Sequence, residues 1–471
     1  MATLIKLPPE VLRQIVLLVH DGTVQHRFAA YEPPLGRYEL KGTNFRRNLS
    51  SLRQVNRLFY EISTPILFQH VVISCSSGTQ RLQQLSKSVP LRRLVHRLEI
   101  CIEVKPGASD FVAYRQHLEQ NKKKILRYLS RLAVIIHTTL PRFSDVRVMR
   151  LDLEDIPYNT DLDMEFQRRE CCWKVDTANL FESFATALRR AQFGKLDELD
   201  LSFPLAYDFG CFLDDKDDTD LYSSKALFKK LKYLRVQYGQ STEDGEGIEF
   251  RYLTPNEEFD KYIGQLLHLA PNVHSLAVEG SDALLLGEPA FPPLHLKSLD
   301  LQSLSTTGSA LVSLIQQSPV LERVIFNGVY LESGTWSGIL LPITQSSITF
   351  FYIETCGYQR DGQSAEFRSP DLANRPDAPY IETIEADDLD ACEAVFARVR
   401  ENKRQKYGSV YDEATDIELK ESQKELIKLK TEVLFEFVKR RFAADDTEDA
   451  QADADWSDSM SESESEDSDF L

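Results

Sequence analysis

A six-residue phrase of the form apolar-x-x-apolar-x-apolar recurs along the chain. Its second half alternates between apolar and other residues, the pattern of a strand with one buried face. Successive copies start 53, 48, 35, 42, 23, 25 and 27 residues apart. Strands this short cannot enclose a core singly, so each must pack against its neighbours in a stacked array. The copies start at Val95, Val148, Leu196, Leu231, Val273, Leu296, Leu321 and Ile348.

The segments between the phrases carry apolar residues at three- and four-residue spacing, which is typical of helices. Each unit is thus a strand followed by a returning helix, an arrangement that makes neighbouring strands parallel. The sequence therefore predicts an α/β solenoid with a parallel sheet along one side. The clearest helical stripes are Leu180, Phe184, Ala187 and Leu188; Tyr262, Ile263, Leu266, Leu267 and Leu269; and Ala310, Leu311, Leu314 and Ile315.

The last three spacings, 23, 25 and 27 residues, fall in the period of leucine-rich repeats, roughly 20–29 residues. Leu296-Lys-Ser-Leu299-Asp-Leu301 resembles the leucine-rich repeats that follow F-boxes in many fungal and animal proteins. The asparagine that usually follows the strand is mostly absent, and only Asn327 lies near such a place. We expect residues 76–360 to form a divergent leucine-rich-repeat-like array whose early units carry insertions. The alternative is an unrelated α/β domain.

The N-terminal residues 4–73 form a second apolar pattern. Leu7-Pro8-Pro9-Glu10 predicts a helix start, because proline is tolerated in the first turn and glutamate faces the positive helix end. A later run from Ser51 predicts another helix, interrupted at Pro65. Two or three small helices this apolar cannot enclose a core alone, so they need a partner surface. One face of this later helix would carry the apolar residues Leu52, Val55, Leu58, Phe59 and Ile62.

This N-terminal pattern resembles the F-box, the small helical module that docks on the Skp-type linker of SCF ubiquitin ligases. The resemblance implies an F-box-like module over residues 1–75, with an insertion at 27–48 where the family has a short loop. The alternative is an ordinary N-terminal helical hairpin of a larger core. By position in the motif, the linker-binding residues would be Leu7, Pro8, Glu10, Val11, Ile15, Leu52, Val55 and Leu58.

Charge and cysteine usage limit the partners and the compartment. The net charge is −18, and residues 445–470 carry twelve acids and no lysine or arginine, so the remainder is −6 (−18 + 12). No part of the sequence concentrates lysine and arginine in the way that predicts a nucleic-acid-binding surface. The seven cysteines lack C-x-x-C spacing, which favours a reducing compartment. With no apolar run of membrane-spanning length, we expect a cytoplasmic or nuclear protein that binds neither nucleic acid nor membrane.

The C-terminal quarter of the chain contains three segments of different composition. Residues 361–380 are polar and proline-bearing, which predicts a linker or loop. Residues 381–442 predict helices that cap the repeat array or, alternatively, bind a partner. Residues 443–471 form an acidic, serine-rich tail too poor in apolar groups to fold. In it Ser459, Ser461 and Ser463 each have a glutamate three residues on, a context that suits phosphorylation by acid-directed kinases.

The chain lacks the motifs of phosphate-binding loops, zinc proteases and nucleophile elbows. We therefore expect a protein that is not an enzyme and that uses no cofactor or metal. The resemblance implies a substrate-recognition adaptor of an SCF-type cullin–RING ubiquitin ligase. Its partners would be the Skp-type linker and the cullin at one end and an unknown target protein on the repeats. The alternative is a non-ligase scaffold whose acidic tail binds basic proteins.

Overall fold

The structure is a computed structural model. It divides the chain into two units, Met1–Lys105 with Asn121–Asn402, and Pro106–Gln120 with Lys403–Leu471. Of the second unit only residues 403–408 are described, so the account below concerns the first. The residues that the structure describes are 12, 43–101, 127–152, 174–191, 193–203, 206–213, 223–238, 254–280, 285–286, 291–354, 356–360, 363–364, 381, 383 and 385–408.

Within those residues twelve strands form one sheet. The order is β1-β2-β3-β4-β5-β6-β8-β9-β11-β12, with β10 also paired to β9 and β7 to β8. These strand pairs are parallel, except that β11 and β12 are antiparallel. The strands are β1 His70–Ser74, β2 Arg97–Cys101, β3 Val148–Asp152, β4 Glu198–Phe203, β5 Tyr233–Tyr238, β6 Ser275–Glu279, β7 Leu285–Leu286, β8 Ser298–Thr307, β9 Arg323–Ser333, β10 Phe350–Glu354, β11 Gly357–Arg360 and β12 Gln363–Ser364.

Helices precede the sheet and connect its strands, as the alternating pattern predicts. The described helices are α1 Thr43–Val55, α2 Arg57–Gln69, α3 Cys75–Lys87, α4 Val89–Arg92, α5 127–139, α6 Lys174–Ala191, α7 Ser224–Phe228, α8 Thr254–His268, α9 Gly308–Gln316, α10 Trp336–Ile343 and α11 Ala386–Tyr407. Short 3₁₀ segments add Leu140–Arg142 and Ala206–Phe212. The predicted α/β class with a parallel sheet is confirmed.

Corresponding residues of the repeated phrases lie side by side on neighbouring strands and form rows across the sheet. In register from β2 to β9, one row is Leu98, Met149, Leu199, Leu234, Leu276, Leu299 and Val324. These side chains and the helical stripes predicted from the sequence belong to one buried cluster. Side chains alternate between the two faces of a strand. The buried rows therefore face the helices, and the residues between them lie on the opposite face.

The second copy of the phrase is out of register with the structure. The sequence places it at Val148, with Leu151 and Leu153 as its other apolar positions. In the structure Val146, Met149 and Leu151 are fully buried, whereas Val148 is half-buried on the other face. The phrase therefore starts at Val146, two residues earlier than predicted.

A repeated backbone geometry fixes the stagger of neighbouring strands. The carbonyl of the residue before one strand accepts hydrogen bonds from two consecutive N–H groups of the next unit. The carbonyl of His96 accepts from Arg147 (2.8 Å) and Val148 (3.1 Å), and that of His274 accepts from Lys297 (2.7 Å) and Ser298 (3.2 Å). Because one acceptor serves two donors at each step, the N-terminal ends of the strands stay aligned along the sheet.

The region between β4 and β5 has an aromatic core. The Phe203 ring centroid lies 4.6 Å from that of Phe181 and 4.7 Å from that of Phe209. Phe212 packs edge-on against Phe228 at 5.4 Å. Aromatic rings bury large apolar areas. The 3₁₀ segment Ala206–Phe212 thereby stays attached to the sheet although it departs from the strand–helix pattern.

Strands β8 and β9 turn a corner together. Ser303 and Gly328 both have positive φ angles, 50° and 62°, and they face each other between the pairs Gln302–Asn327 and Leu304–Val329. Beyond the corner β8 pairs with β7 and β9 pairs with β11. The two longest strands therefore serve two successive sets of neighbours, which the phrases alone do not reveal.

Three local predictions were wrong. The run from Ser51 is two helices rather than one, since α1 ends at Val55 and α2 begins at Arg57. Pro65 does not end the helix: α2 continues to Gln69. The stretch Ser74–Thr79 has a composition that predicts a loop, but Ser74 ends β1 and Cys75 begins α3. Residues 361–362, 365–380 and 409–471, including the predicted second C-terminal helix and the acidic tail, lie outside the described residues.

The C-terminal helix α11 packs on the array. Its residues Ala391, Cys392, Val395 and Val399 are buried in the same cluster as the sheet. Phe396 contacts Phe351 of β10 edge-on, with ring centroids 5.2 Å apart. Whether the C-terminal helices as a set cap the array stays a prediction, because the rest of them lie outside the described residues.

Candidate functional site

The helical pair α1–α2 and Leu12, which precedes it in the chain, form a small core separate from that of the sheet. Leu12, Leu49 and Phe59 are its buried members. Asn56, between the two helices, has extended backbone and caps α2, its side-chain oxygen accepting a hydrogen bond of 2.9 Å from the N–H of Phe59. That cap explains why the chain turns at residue 56. The half-buried residues around this core are Leu52, Leu58, Ile62, Ile66 and Leu67.

Arg53 connects the two helices on the outside of this pair. Its Nε donates a hydrogen bond of 3.1 Å to Thr64, and its guanidinium lies 4.9 Å from the Tyr60 ring centroid and 5.2 Å from that of Phe68. Cations are attracted to the faces of aromatic rings at this distance. Val55 and Tyr60 remain 50% and 45% exposed. The pair therefore presents apolar and aromatic surface that its own core does not use.

The predicted linker-binding residues divide into two groups. Leu52 and Leu58 contribute partly to the small core, and Val55 lies exposed at the end of α1. Tyr60 was not among the predicted linker-binding residues. The predicted phosphorylation sites Ser459, Ser461 and Ser463 lie outside the described residues, as do the remaining linker-binding positions, Leu7, Pro8, Glu10, Val11 and Ile15.

The second candidate is the sheet face opposite the helices. Its middle row runs Glu99, Arg150, Asp200 and Arg235 on β2 to β5, in register. The charges alternate in sign from strand to strand, an arrangement that stabilises cross-strand neighbours. These residues occupy the variable positions of the phrases. The sequence shows that they share a face, but only the structure shows which strands are neighbours.

Most charges on this face are paired. Arg97 donates to Glu99 at 2.6 Å, and His70 Nε2 lies 2.9 Å from the same carboxylate oxygen. Arg150 lies 3.0 Å from Asp152 and 3.5 Å from Asp200. The arrangement is a network of ion pairs.

The carboxyl groups of this face differ in pKa. Burial raises the pKa of Asp200 against the opposing charges of Arg235 and Arg150, and burial also raises that of Glu198. Burial raises the pKa of Asp300 to about 6. For Glu99 burial acts in the same direction, but the hydrogen bond from His70 and the charge of Arg97 outweigh it and the pKa falls to about 2. Glu99 is therefore the best-compensated acid of the four.

Among the described residues, no set of three or more histidine, cysteine, aspartate or glutamate side chains is arranged to hold a metal ion. None of the described helices is both long and apolar enough to span a membrane.

Comparison with known proteins does not assign the chain to a family. No protein-family model matches the chain, and no curated protein matches it. One solved structure similar to it is described as the crystal structure of a Rad7 and Elc1 complex in yeast. That likeness has 14% sequence identity, covers 74% of this chain and 76% of the other, and has a TM-score of 0.26. At that TM-score it bears on neither fold nor function.

Proposed function

We propose that this protein is a non-catalytic adaptor of an SCF-type ubiquitin ligase. The N-terminal helical pair docks on a Skp-type linker, which joins it to a cullin, and the repeat array binds the target protein. The other subunits supply the ubiquitin-transfer chemistry. The protein's own contribution is to hold two macromolecules at opposite parts of one chain.

One observation carries the docking half of this proposal. The α1–α2 pair has a core of its own and exposes Val55 and Tyr60 beside it. Exposed apolar and aromatic side chains on a small module are what a protein interface buries, and tyrosine is enriched among residues that dominate binding energy. The F-box resemblance of the sequence names the class of partner.

The target half is supported by the sheet. A parallel array with helices on one face leaves the other face for recognition, and repeat proteins use such extended surfaces for binding. Here that face carries charged side chains on neighbouring strands, including Arg150, Asp200 and Arg235. Charged side chains arranged in this way supply specificity more than affinity.

The test is co-purification of the tagged full-length protein and a variant carrying Val55→Asp and Tyr60→Asp. Both side chains are exposed, so the fold should tolerate the changes, whereas an apolar interface should not tolerate two buried carboxylates. We expect the linker and the cullin with the wild-type chain and loss of both with the variant.

The matched control is Val134→Asp, since Val134 is 65% exposed on α5 and outside the helical pair. It should retain both partners. Equal recovery of the linker with the control and the double variant would refute the docking surface. Recovery of the linker without a cullin from the wild type would favour a non-ligase scaffold.

A further inference from the structure

The strands of a parallel sheet begin at one shared edge, because each connection returns the chain to its starting side. In this array the edge is formed by the segments that lead into β2, β3, β4, β5, β6, β8 and β9, which pair in parallel. We call it the strand-start edge. It consists of residues 88–96, 140–147, 193–197, 229–232, 269–274, 291–297 and 317–322.

The strand-start edge is positively charged although the chain is acidic. Its segments hold nine lysines and arginines and three acids, a formal charge of +6 (9 − 3), whereas the whole chain has a net charge of −18. Eighteen acids and only four lysines and arginines occur in the segments that follow β3 to β6, which are 153–173, 204–222, 239–253 and 280–290. Positive charge therefore collects before the strands. The nine cations are Arg92, Arg93, Arg142, Arg147, Lys195, Lys229, Lys230, Lys232 and Lys297.

Most of these cations are open to a partner. Eight of the nine are exposed, and Arg92 is half-buried. Lys195 pairs with Asp145 at 2.5 Å and Lys232 with Asp197 at 3.4 Å, which occupies two of the three acids of the edge. The exposed cations that make no ion pair with a described residue are Arg93, Arg142, Arg147, Lys229, Lys230 and Lys297.

The backbone holds the central cations side by side. The carbonyl of Lys232 accepts a hydrogen bond of 2.8 Å from the N–H of His274, and the carbonyl of His274 accepts one of 2.7 Å from the N–H of Lys297. Neighbouring strands are about 4.8 Å apart, so Lys232 and Lys297 lie about 10 Å apart with the exposed His274 between them. Lys229 is fixed beside this row, because its carbonyl accepts from the Asn272 side chain at 2.7 Å.

Helix stability explains only part of this charge. Lys229 and Lys230 directly follow α7, where a cation stabilises the helix C-terminus. Arg147 and Lys297 instead directly precede strands β3 and β8, where no helix end benefits from them. Like charges on neighbouring segments repel each other. The fold therefore gains little from collecting these cations, and their charge remains available to an anionic partner.

We infer that the strand-start edge binds an extended acidic segment of the target protein, through the side chains of Arg147, Lys230 and Lys297 and the cations beside them. This rests on the proposed function, since it specifies what one border of the repeat array recognises. From β2 to β9 the edge spans six strand spacings, about 29 Å, which is the length of about nine residues in extended conformation. A positive surface of that length attracts a run of carboxylates and speeds their association.

Two other anionic occupants fit this edge less well. Recognition of a single phosphate relies on the planar fork of arginine, whereas the central cations, Lys229, Lys230 and Lys297, are flexible point charges. Single-stranded nucleic acid binds through stacking on aromatic side chains as well as through charge. Among the described residues of this edge the exposed large apolar side chains are Val89 and Val320, and neither is aromatic. The edge therefore favours several carboxylates in sequence.

The experiment measures binding of a fluorescent twelve-residue peptide of alternating glutamate and serine to the full-length protein by anisotropy. In a second peptide glutamine replaces each glutamate, which keeps the shape and removes the charge. We expect the glutamate peptide to bind and the glutamine peptide not to. The affinity of the glutamate peptide should fall as the salt concentration rises, because salt screens exposed charges.

The edge variant is Lys230→Glu with Lys297→Glu. Both lysines are exposed and make no ion pair with a described residue, so the fold should tolerate the changes. The variant should bind the glutamate peptide about tenfold more weakly, the loss expected from two exposed ion pairs. The matched control, Arg81→Glu with Arg131→Glu, changes the net charge equally at exposed positions on α3 and α5. It should bind as the wild type does, and all three proteins should have the same melting temperature.

Three results would overturn the inference. One is equal affinity of the edge variant and the control variant, or equal binding of the two peptides. Another is tighter binding of a twelve-nucleotide single strand of thymidine than of the glutamate peptide, which would make the edge a nucleic-acid surface. The third is binding of the glutamate peptide only after removal of residues 443–471, since the occupant would then be this chain's own acidic segment.

Co-purification of the linker, measured on the same variants, separates this inference from the docking proposal. The edge lies outside the α1–α2 pair, so recovery of the linker should be the same with the wild type, the edge variant and the control. Equal peptide binding by all three proteins with the linker retained therefore refutes this inference alone and leaves the docking proposal standing.

Discussion

The carboxylate of Asp388, in the first turn of α11, accepts a hydrogen bond of 2.7 Å from the backbone N–H of Ser337, in the first turn of α10. The same carboxylate accepts from the Tyr358 hydroxyl at 2.6 Å and from Thr383 at 2.8 Å. The Tyr358 oxygen in turn accepts from the N–H of Trp336. One fully buried side chain thus holds α11 against α10 and β11.

Asp388→Asn should destabilise the protein by about 2–3 kcal/mol, because an amide replaces one of the accepting oxygens with a donor and leaves buried partners unpaired. Urea unfolding followed by circular dichroism measures the change in midpoint. Asp390→Asn, two residues along the same helix and exposed, should shift the midpoint little. Similar midpoints for the two variants would show that the network does not hold the helix.

Gly308→Ala should destabilise the fold by about 1–3 kcal/mol, the usual range for overpacking. A Cβ at residue 308 would lie 2.8 Å from the carbonyl oxygen of Ser333 and 3.1 Å from Cα of Gly334. Both are backbone atoms, which cannot move aside as a flexible side chain would. Gly194→Ala is the control, because its Cβ would meet nothing within 4 Å. Thermal unfolding should separate the two, and equal melting temperatures would contradict the expectation.

Asn56→Ala should destabilise α2 by about 1 kcal/mol, the usual effect of losing an N-cap side chain. Hydrogen exchange of the α2 amides, compared with those of the sheet, measures this locally. Ser88, the N-cap residue of α4, makes no side-chain capping bond, so Ser88→Ala should leave exchange in α4 unchanged. Unaltered exchange in α2 of the Asn56 variant would mean that packing on Phe59, and not the cap, holds the start of that helix.

The repeat phrases predicted the buried positions of the sheet well because a two-residue period leaves each strand only two faces. At the second strand two frames fit equally: Val146, Met149 and Leu151, or Val148, Leu151 and Leu153. Both are apolar in all three places, so the choice depends on which frame faces the helices. Tertiary packing made that choice, and no local pattern could.

The helix through Pro65 shows another limit of local rules. Proline removes one backbone donor and usually ends a helix. In α2 the hydroxyls of Ser63 and Thr64 donate to the carbonyls of Phe59 and Tyr60 one turn earlier. Such hydroxyl-to-carbonyl bonds accommodate a bend. A proline preceded by serine and threonine is thus weaker evidence for a helix end than a proline alone.

The row of alternating charges formed by Glu99, Arg150, Asp200 and Arg235 was not predictable from spacing. Asp200 and Arg235 are separated by an intervening helix, and insertions of unequal length separate the earlier strands. The sequence indicates that such residues alternate with buried ones. It does not indicate that Arg150, Asp200 and Arg235 are consecutive neighbours across the sheet.

Asp300→Asn should stabilise the protein at neutral pH. Burial raises the pKa of Asp300 from 3.8 to about 6. The hydrogen bond from Gln302 and the charges of Arg235 on β5 and Arg323 on the neighbouring β9 act against this rise, and the charge of Glu279 adds to it. A raised carboxyl pKa favours folding while the group is protonated, and that stability is lost as the pH rises from about 4 through 6. The variant should therefore gain up to about 3 kcal/mol above pH 6 and nothing near pH 4. Urea unfolding at pH 4, 5, 6 and 7 measures it, and a gain that does not change with pH would contradict this assignment.

Glu99→Gln should have the opposite pH dependence. The pKa of Glu99 is lowered from 4.5 to about 2 because His70 and Arg97 outweigh the effect of burial. A lowered carboxyl pKa contributes stability that is fully present above pH 4.5 and is lost as the pH falls through the folded-state value. The wild type should therefore exceed the variant by up to about 3 kcal/mol at pH 6, and the difference should shrink as the pH falls from 4.5 toward 2. Unfolding free energies at pH 3, 4, 5 and 6 test this, with Glu61→Gln as the control, since the Arg57–Glu61 pair is exposed and contributes little. If the difference between wild type and Glu99→Gln stays constant across that range, His70 and Arg97 do not hold Glu99 ionised in the folded protein.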